Sequence, residues 1–385
     1  MEDTARLLLI PGPVSVGDDV LEALGRPVPA HYGEAWAPFY ADVQRRLRAI
    51  ACTSGTVYPL FGPGTAGIEM ALGSVLQRGD EILVGSNGYF GGRLAAVARG
   101  LGLLPHIVES APRTPLTPEE LTRALDEHPA SRLFAVVHDE TSLGLLNPIQ
   151  DLCPLAHARG LLTLVDAVAS FGGVRLDMDL WNVDLAVGTI NKALAAPVGF
   201  AIVAAGEGAW AAVDDGREKA AGWYLNLATW RAAAAEDPMH PTPSTVASNV
   251  FEALGAALDR IDREGGIEAH RELSARAAER VRSGMRELGF EPVMSGAAAA
   301  PVLTAFWVPE GLPYADFAAY LRERHGIRIG GGLEPYQGRM FRIGHMGRAA
   351  EPEVTDRFLH AVADYLDEKG LRPNPAAASL ANRAE

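Results

Sequence analysis

Apolar positions along this chain fall into two textures. Between about residues 55 and 205, short apolar runs alternate with stretches of helical period, the pattern of a mostly parallel sheet with helices on both faces. The spacing predicts strands at Glu81–Gly85, Leu103–Val108, Leu133–His138, Leu162–Asp166, Asp184–Thr189 and Phe200–Ala204. Helices are expected at Gly92–Leu101, Thr117–His128 and Ile149–Arg159. The second opens on Thr117-Pro118-Glu119-Glu120, an N-cap with proline at the first helical position. The connections are short, as βα units require.

From about residue 244 the texture changes. Thr245–Arg263 and Ile267–Leu288 read as helices separated by Gly265-Gly266, followed by an extended run at Val302–Val308 and a helix at Tyr314–His325. Extended pieces at Ile327–Gly330 and Met340–Gly344 and a last helix at Glu351–Lys369 complete the pattern. The expected architecture is an N-terminal arm at 1–20, a large α/β domain at 21–243 and a smaller α+β domain at 244–370. Residues 371–385, rich in Pro, Ala and Asn without periodicity, read as a flexible tail.

Composition narrows the function classes. A chain of 385 residues with 48% hydrophobic and 21% charged content can bury a sizeable core. A formal net charge of -14 argues against a surface built for nucleic acid, whose backbone is met by clustered Lys and Arg. It leaves room for a small anion, because a helix N-terminus holds one phosphate inside an acidic protein. Cys52 and Cys153 sit in no CxxC or Cys/His pattern, so neither a disulfide framework nor a metal site is expected, and a reducing cytoplasm is the natural setting. Leu7-Leu8-Leu9-Ile10 stops at Pro11, too short for a signal peptide core or a membrane span.

The chemistry concentrates at strand ends. Leu162-Thr163-Leu164-Val165-Asp166 is an apolar strand closing on a carboxylate, and ligands of open α/β sheets lie beyond the carboxyl ends of their strands. An aspartate there can also merely cap the next turn. Lys192 follows another apolar strand and precedes Ala193-Leu194-Ala195-Ala196-Pro197. A charged lysine in such surroundings is costly unless it is paired, depressed in pKa or used covalently, and a Schiff base resolves the conflict. The competing reading is a lysine that snorkels to solvent.

Gly62-Pro63-Gly64-Thr65-Ala66-Gly67 opens an apolar helix, where free N–H groups and the Thr65 hydroxyl can cup a phosphate. It is not a nucleotide P-loop, since no Gly-Lys-Ser/Thr follows. Phe90, in the Gly-rich turn Asn87–Arg93, could stack on a flat ring or plug the core. Arg342, between apolar neighbours in Phe341-Arg342-Ile343-Gly344-His345-Met346, wants a planar anion, either an internal acid or a substrate carboxylate. His345 reads as a structural histidine.

In this order the segments resemble the class V aminotransferases of fold type I, in the branch with alanine–glyoxylate, serine–pyruvate and 2-aminoethylphosphonate aminotransferases. The likeness runs from Pro11-Gly12-Pro13 to the last helix. It rests on Gly62–Glu69, Asn87–Arg93, His138-Asp139-Glu140-Thr141-Ser142-Leu143-Gly144, Val165-Asp166-Ala167-Val168, Asn191-Lys192-Ala193-Leu194 and Arg342–Gly347. The resemblance implies an α/β PLP-dependent transferase fold and pyridoxal 5'-phosphate as cofactor. Lys192 would form the Schiff base and Asp166 partner the pyridine nitrogen. Gly64 and Thr65 would hold the phosphate with Asn191 nearby, Phe90 and Val168 flank the ring, and Thr141 lie near the ring hydroxyl. Arg342 would receive the substrate carboxylate, and Tyr32, in the loop His31-Tyr32-Gly33, would face substrate.

His240-Pro241-Thr242-Pro243-Ser244 matches the stretch through which a neighbouring subunit reaches the phosphate, with Thr242 as the contact, so a homodimer is implied. The resemblance departs from the family at Leu143, Ile190-Asn191 and Tyr32-Gly33, positions that bear on the substrate rather than the cofactor. Amino transfer from a small amino acid to a 2-oxo acid is the expected reaction. β-Elimination or decarboxylation of a larger conjugate would draw on the same electron sink. A non-catalytic relative fits poorly with retention of both Asp166 and Lys192. A nicotinamide dehydrogenase lacks its strand–GxGxxG–helix here.

Overall fold

The computed structural model describes residues 7–371. The tail reading at 371–385 therefore lies, apart from Leu371, outside the described residues. In chain order the strands are β1 (Leu7–Leu9), β2 (Thr56–Phe61), β3 (Glu81–Ser86), β4 (Leu104–Glu109) and β5 (Leu133–Val137). A short hairpin, β6 (Asp139–Glu140) and β7 (Leu145–Leu146), precedes β8 (Leu162–Asp166), β9 (Leu185–Thr189) and β10 (Phe200–Ala205). β11 (Leu303–Trp307), β12 (Ile327–Gly331) and β13 (Met340–Gly344) close the series. The helices are α1 (Asp18–Leu24), α2 (Trp36–Ala51), α3 (Gly64–Val75), α4 (Tyr89–Gly100), α5 (Pro118–Glu127) and α6 (Ile149–Ala158). They continue with α7 (Glu207–Val213), α8 (Leu227–Glu236), α9 (Ser248–Arg263), α10 (Gly266–Glu287), α11 (Tyr314–His325) and α12 (Pro352–Lys369).

The large sheet has the order β2-β10-β9-β8-β5-β3-β4. Its strands run parallel except β10, which is antiparallel to both β9 and β2. Every residue of β5 and β9 is buried, as expected of central strands covered on both faces. One face packs Val43, Leu47, Phe134, Val165 and Phe251 together, the other Leu72, Val84, Leu94, Leu164 and Trp230. The register pairs Val137 with Asp166 and Asp166 with Val187, so β5, β8 and β9 reach the same edge together. α5 is opened by a reciprocal cap: Thr117 Oγ1 accepts from the Glu120 N–H at 3.2 Å and Glu120 Oε2 from the Thr117 N–H at 2.9 Å.

A second sheet, β1-β12-β13-β11, carries its own core of Phe290, Phe306, Phe317, Phe341 and Tyr365. β1 joins it in parallel, with Leu7 opposite Ile327. α9 contributes Phe251, Leu254 and Leu258 to the core of the large sheet, so the change of texture near residue 244 falls ahead of a helix packed on that side. β2 has no counterpart among the strands read from the sequence. It is an edge strand, and Pro59, opposite Ile202, is tolerated because one of its flanks has no ladder to supply.

Candidate active site

The carboxyl ends of β5, β8 and β9 and the start of α3 enclose a cavity of about 300 Å³, within the range of small-molecule sites. Gly64, Thr65, Phe90, Thr141, Asp166, Val168, Asn191 and Lys192 all line it. Residues far apart in the chain thus meet at one edge because the parallel strands end level.

Lys192 lies just past β9. Its Nζ donates to the carbonyl of Pro11. The loop carrying Pro11 lies against the lysine through Gly12, at φ 109°, where a Cβ would sit 2.3 Å from Lys192 Cδ. Only glycine allows that approach. Burial brings the lysine ammonium down to about 8, with Arg342 and Arg93 pushing the same way and Asp139 and Asp166 opposing.

Asp166 is buried at the end of β8, and Oδ1 accepts from the Val168 N–H at 3.0 Å. Burial lifts its carboxyl to about 6, against the steadying Val168 hydrogen bond. Thr189 Oγ1 donates to the Val168 carbonyl at 3.0 Å, so β9 fixes the loop on which Val168 presents its side chain. α3 begins at Gly64, whose Cβ, if present, would lie 2.6 Å from Val168 Cγ2 and 3.0 Å from Thr189 Cγ2. Glycine there lets the helix start, with its first-turn N–H groups, come against the cavity floor.

Phe90 stands at the start of α4. Glu140 Oε2 accepts from the N–H groups of Phe90 at 2.9 Å and Gly91 at 3.2 Å, and the Arg93 guanidinium lies 5.0 Å from the Phe90 ring centroid. Arg342 is buried on β13. Its Nε donates to the Gly331 carbonyl at 2.8 Å and Nη1 to the Thr141 carbonyl at 3.1 Å, so carbonyls rather than a carboxylate orient it. His345 is buried and neutral, Nε2 paired with Thr304 Oγ1 at 2.9 Å, with burial pushing it down to about 3.

Three predicted residues are not among those lining this cavity: Arg342, which borders it through its bond to the Thr141 carbonyl, Tyr32 and Thr242. Tyr32 is 58% exposed and belongs to a different surface depression, its ring 5.7 Å from that of His240. Thr242 is buried beside a third depression with Trp223 and His240, and its hydroxyl donates to the Ser244 carbonyl at 3.0 Å. Two buried acids carry more than the sequence reading assigned them. Glu140 holds α4 to the β6 turn, and Asp139 lines the cavity with both carboxylate oxygens lacking a partner among the described residues. The sequence shows them as two consecutive acids just past the apolar β5 and His138, but not that they are buried.

The family model for aminotransferase class-V matches residues 60–349. The chain belongs to the class V aminotransferases. An uncharacterised aminotransferase of Methanocaldococcus jannaschii is 32% identical over 349 residues, 91% of this chain and 90% of the relative. A 2-aminoethylphosphonate–pyruvate transaminase of Salmonella paratyphi A is 30% identical, over 91% of this chain and 95% of the relative. The crystal structure of the ureidoglycine–glyoxylate aminotransferase from Bacillus subtilis superimposes with a TM-score of 0.90 at 26% identity, covering 96% of this chain and 95% of that one. The fold is that of the PLP-dependent aminotransferases, and the cofactor of this class V enzyme is pyridoxal 5'-phosphate.

The residues present fit that cofactor. A glycine that keeps the α3 start open, an acid at the end of the central strand, a lysine with a depressed ammonium and a buried carboxylate with unmet oxygens face one cavity. Among the described residues no helix is long and apolar enough to cross a membrane.

Proposed function

We propose that this class V enzyme moves the amino group of a small amino acid to a small 2-oxo acid of the pyruvate or glyoxylate kind, with Lys192 as the lysine that joins the cofactor. The observation that carries the reading is the meeting of Lys192 and Asp166 in one cavity. Two of the similar proteins carry pyruvate or glyoxylate in their names, which supports a small acceptor.

Bound pyridoxal phosphate supplies an electron sink for a carbanion at the substrate Cα. Asp166, seated by the Val168 N–H, would partner the pyridine nitrogen and favour its protonated form. Gly64, Thr65 and Asn191 would hold the phosphate, Phe90 and Val168 would flank the ring, and Thr141 would serve its oxygen; all six line the cavity. Arg342, anchored through Nε and Nη1 to carbonyls at the border of the cavity, would receive the substrate carboxylate. Lys192 would be the base for the substrate Cα proton, a task suited to an amine brought near neutrality by burial.

The enzyme works as a homodimer in the cytoplasm. Tyr32, absent from the cavity of its own chain, serves the substrate of the neighbouring one, and Thr242 approaches the neighbour's phosphate. The exposed Tyr32, Trp223 and Met239 support such an interface, because large apolar side chains clustered at a surface mark association.

One preparation tests the chemistry twice. Borohydride reduction is expected to fix the cofactor on the peptide holding Lys192, and a panel of amino donors to yield keto acid only when pyruvate or glyoxylate is present. A label on another lysine overturns the assignment. Keto acid plus ammonia without acceptor identifies elimination instead.

A further inference from the structure

Asp139 is 3% exposed, lines the cavity, and among the described residues neither carboxylate oxygen has a hydrogen-bond partner. The charged groups that act on it most strongly are Glu140, Lys192, Arg282 and Asp166. Neither cation pairs with it: Lys192 Nζ is bonded to the Pro11 carbonyl, and Arg282 to Thr304 Oγ1 and the Ala300 carbonyl. The two acids add like charge. A buried carboxylate in this setting is stable only as the neutral acid, which carries one O–H donor. The described residues offer that donor no acceptor, so the acceptor belongs to whatever fills the cavity.

The sheet order says which part of the ligand that is. α3, with Gly64, follows β2 and lies against β9 and β10, whereas β5, leading into Asp139, is on the other side of β8 and Asp166. In pyridoxal phosphate the phosphate arm and the ring oxygen lie on opposite sides of the line from the pyridine nitrogen to the carbon that meets the lysine. With Asp166 at the nitrogen, Lys192 at the far carbon and the phosphate at α3, the ring oxygen turns toward β5.

We propose that Asp139, held as the neutral acid, donates a hydrogen bond to the ring oxygen of pyridoxal phosphate and so tunes the basicity of the Lys192 Schiff base. The inference rests on the cofactor reading above. A donor drains charge from the ring oxygen, which otherwise steadies the protonated imine, so the imine pKa falls. An ionised Asp139 has the opposite effect, stabilising the imine cation.

The two cases separate by sign in an absorbance pH titration of the holoenzyme. Asp139→Asn, which keeps a donor, is expected to titrate within about half a unit of the parent, whereas Asp139→Leu is expected to rise by about one unit. Cofactor binding, measured by fluorescence titration, is expected to weaken about tenfold in Asp139→Leu and to stay near the parent in Asp139→Asn. Asp139→Ala, which removes the carboxyl without adding bulk, carries the same expectation as Leu and serves if Leu does not fold. A fall of the imine pKa in the Asn variant, or parent-like titration and affinity in Leu and Ala, overturns the proposal. A parent that shows no Schiff-base absorbance at all overturns the cofactor reading instead.

Discussion

Only the free amine of a lysine attacks an aldehyde, and burial holds the Lys192 ammonium at about 8 instead of its ordinary value near 10.5. The rate of cofactor capture by the cofactor-free protein is therefore expected to climb about tenfold per pH unit below pH 8 and to level off above it. Because the native pKa is depressed, the unfolded chain holds the proton that the native chain releases between about 8 and 10.5. The contribution of this residue to the stability of the cofactor-free protein therefore grows as pH rises through that window. Stopped-flow mixing with pyridoxal phosphate across pH 6–11 checks the rate. A rate still climbing at pH 10 would show an unperturbed lysine.

At the scale of elements, the loop after β5 is what ties the ring-facing helix to the sheet. Glu140 Oε2 takes the N–H groups of Phe90 and Gly91, while Oε1 takes the N–H of Ser142 at 3.1 Å and its hydroxyl. A Cβ on Gly88 would lie 2.5 Å from Glu140 Cδ, which shows how closely the start of α4 is drawn to this acid. Glu140→Ala leaves three buried N–H groups without acceptors and is expected to destabilise the chain by about 2–4 kcal/mol. The holoenzyme should also lose cofactor affinity, since Phe90 loses its fixed position; melting curves with and without cofactor separate the two effects. Equal loss of stability with and without cofactor would show that α4 does not position the ring. The elements legible in the sequence were those with a local signature: apolar strands ending at Asp166 and before Lys192, and the Thr117 capping box. β2 was not, because Pro59 interrupts its pattern and only the sheet order shows that the strand is an edge. Nor was the pairing of β1 with β12, since no local periodicity records a partner so distant in the chain. Asp139 and Glu140 were visible as acids, but their burial depends on how the hairpin of β6 and β7 folds back over the strand ends.

For the molecule as a whole, the sites gather on two sides of one surface question. The cavity with Lys192 contains neither Tyr32 nor Thr242, yet both lie near His240, where Tyr32, Met239 and Trp223 are 58%, 50% and 66% exposed. These exposed apolar side chains form the patch that a second copy would cover. If a second copy does so, placing charge there should separate the subunits and also leave each Lys192 cavity without its neighbour's contributions. Trp223→Glu with Met239→Glu is expected to weaken the dimer by about a hundredfold or more, because two carboxylates would be buried unpaired. Light scattering at micromolar protein should then report the mass of one chain where the parent reports two. The decisive comparison is activity at the same concentrations: it should fall with the dimer and return as concentration rises, while borohydride still labels Lys192 in the separated chains. A monomer that transaminates at the parental rate would mean that each cavity is complete within one chain, and that Tyr32 and Thr242 serve only the surface on which they lie.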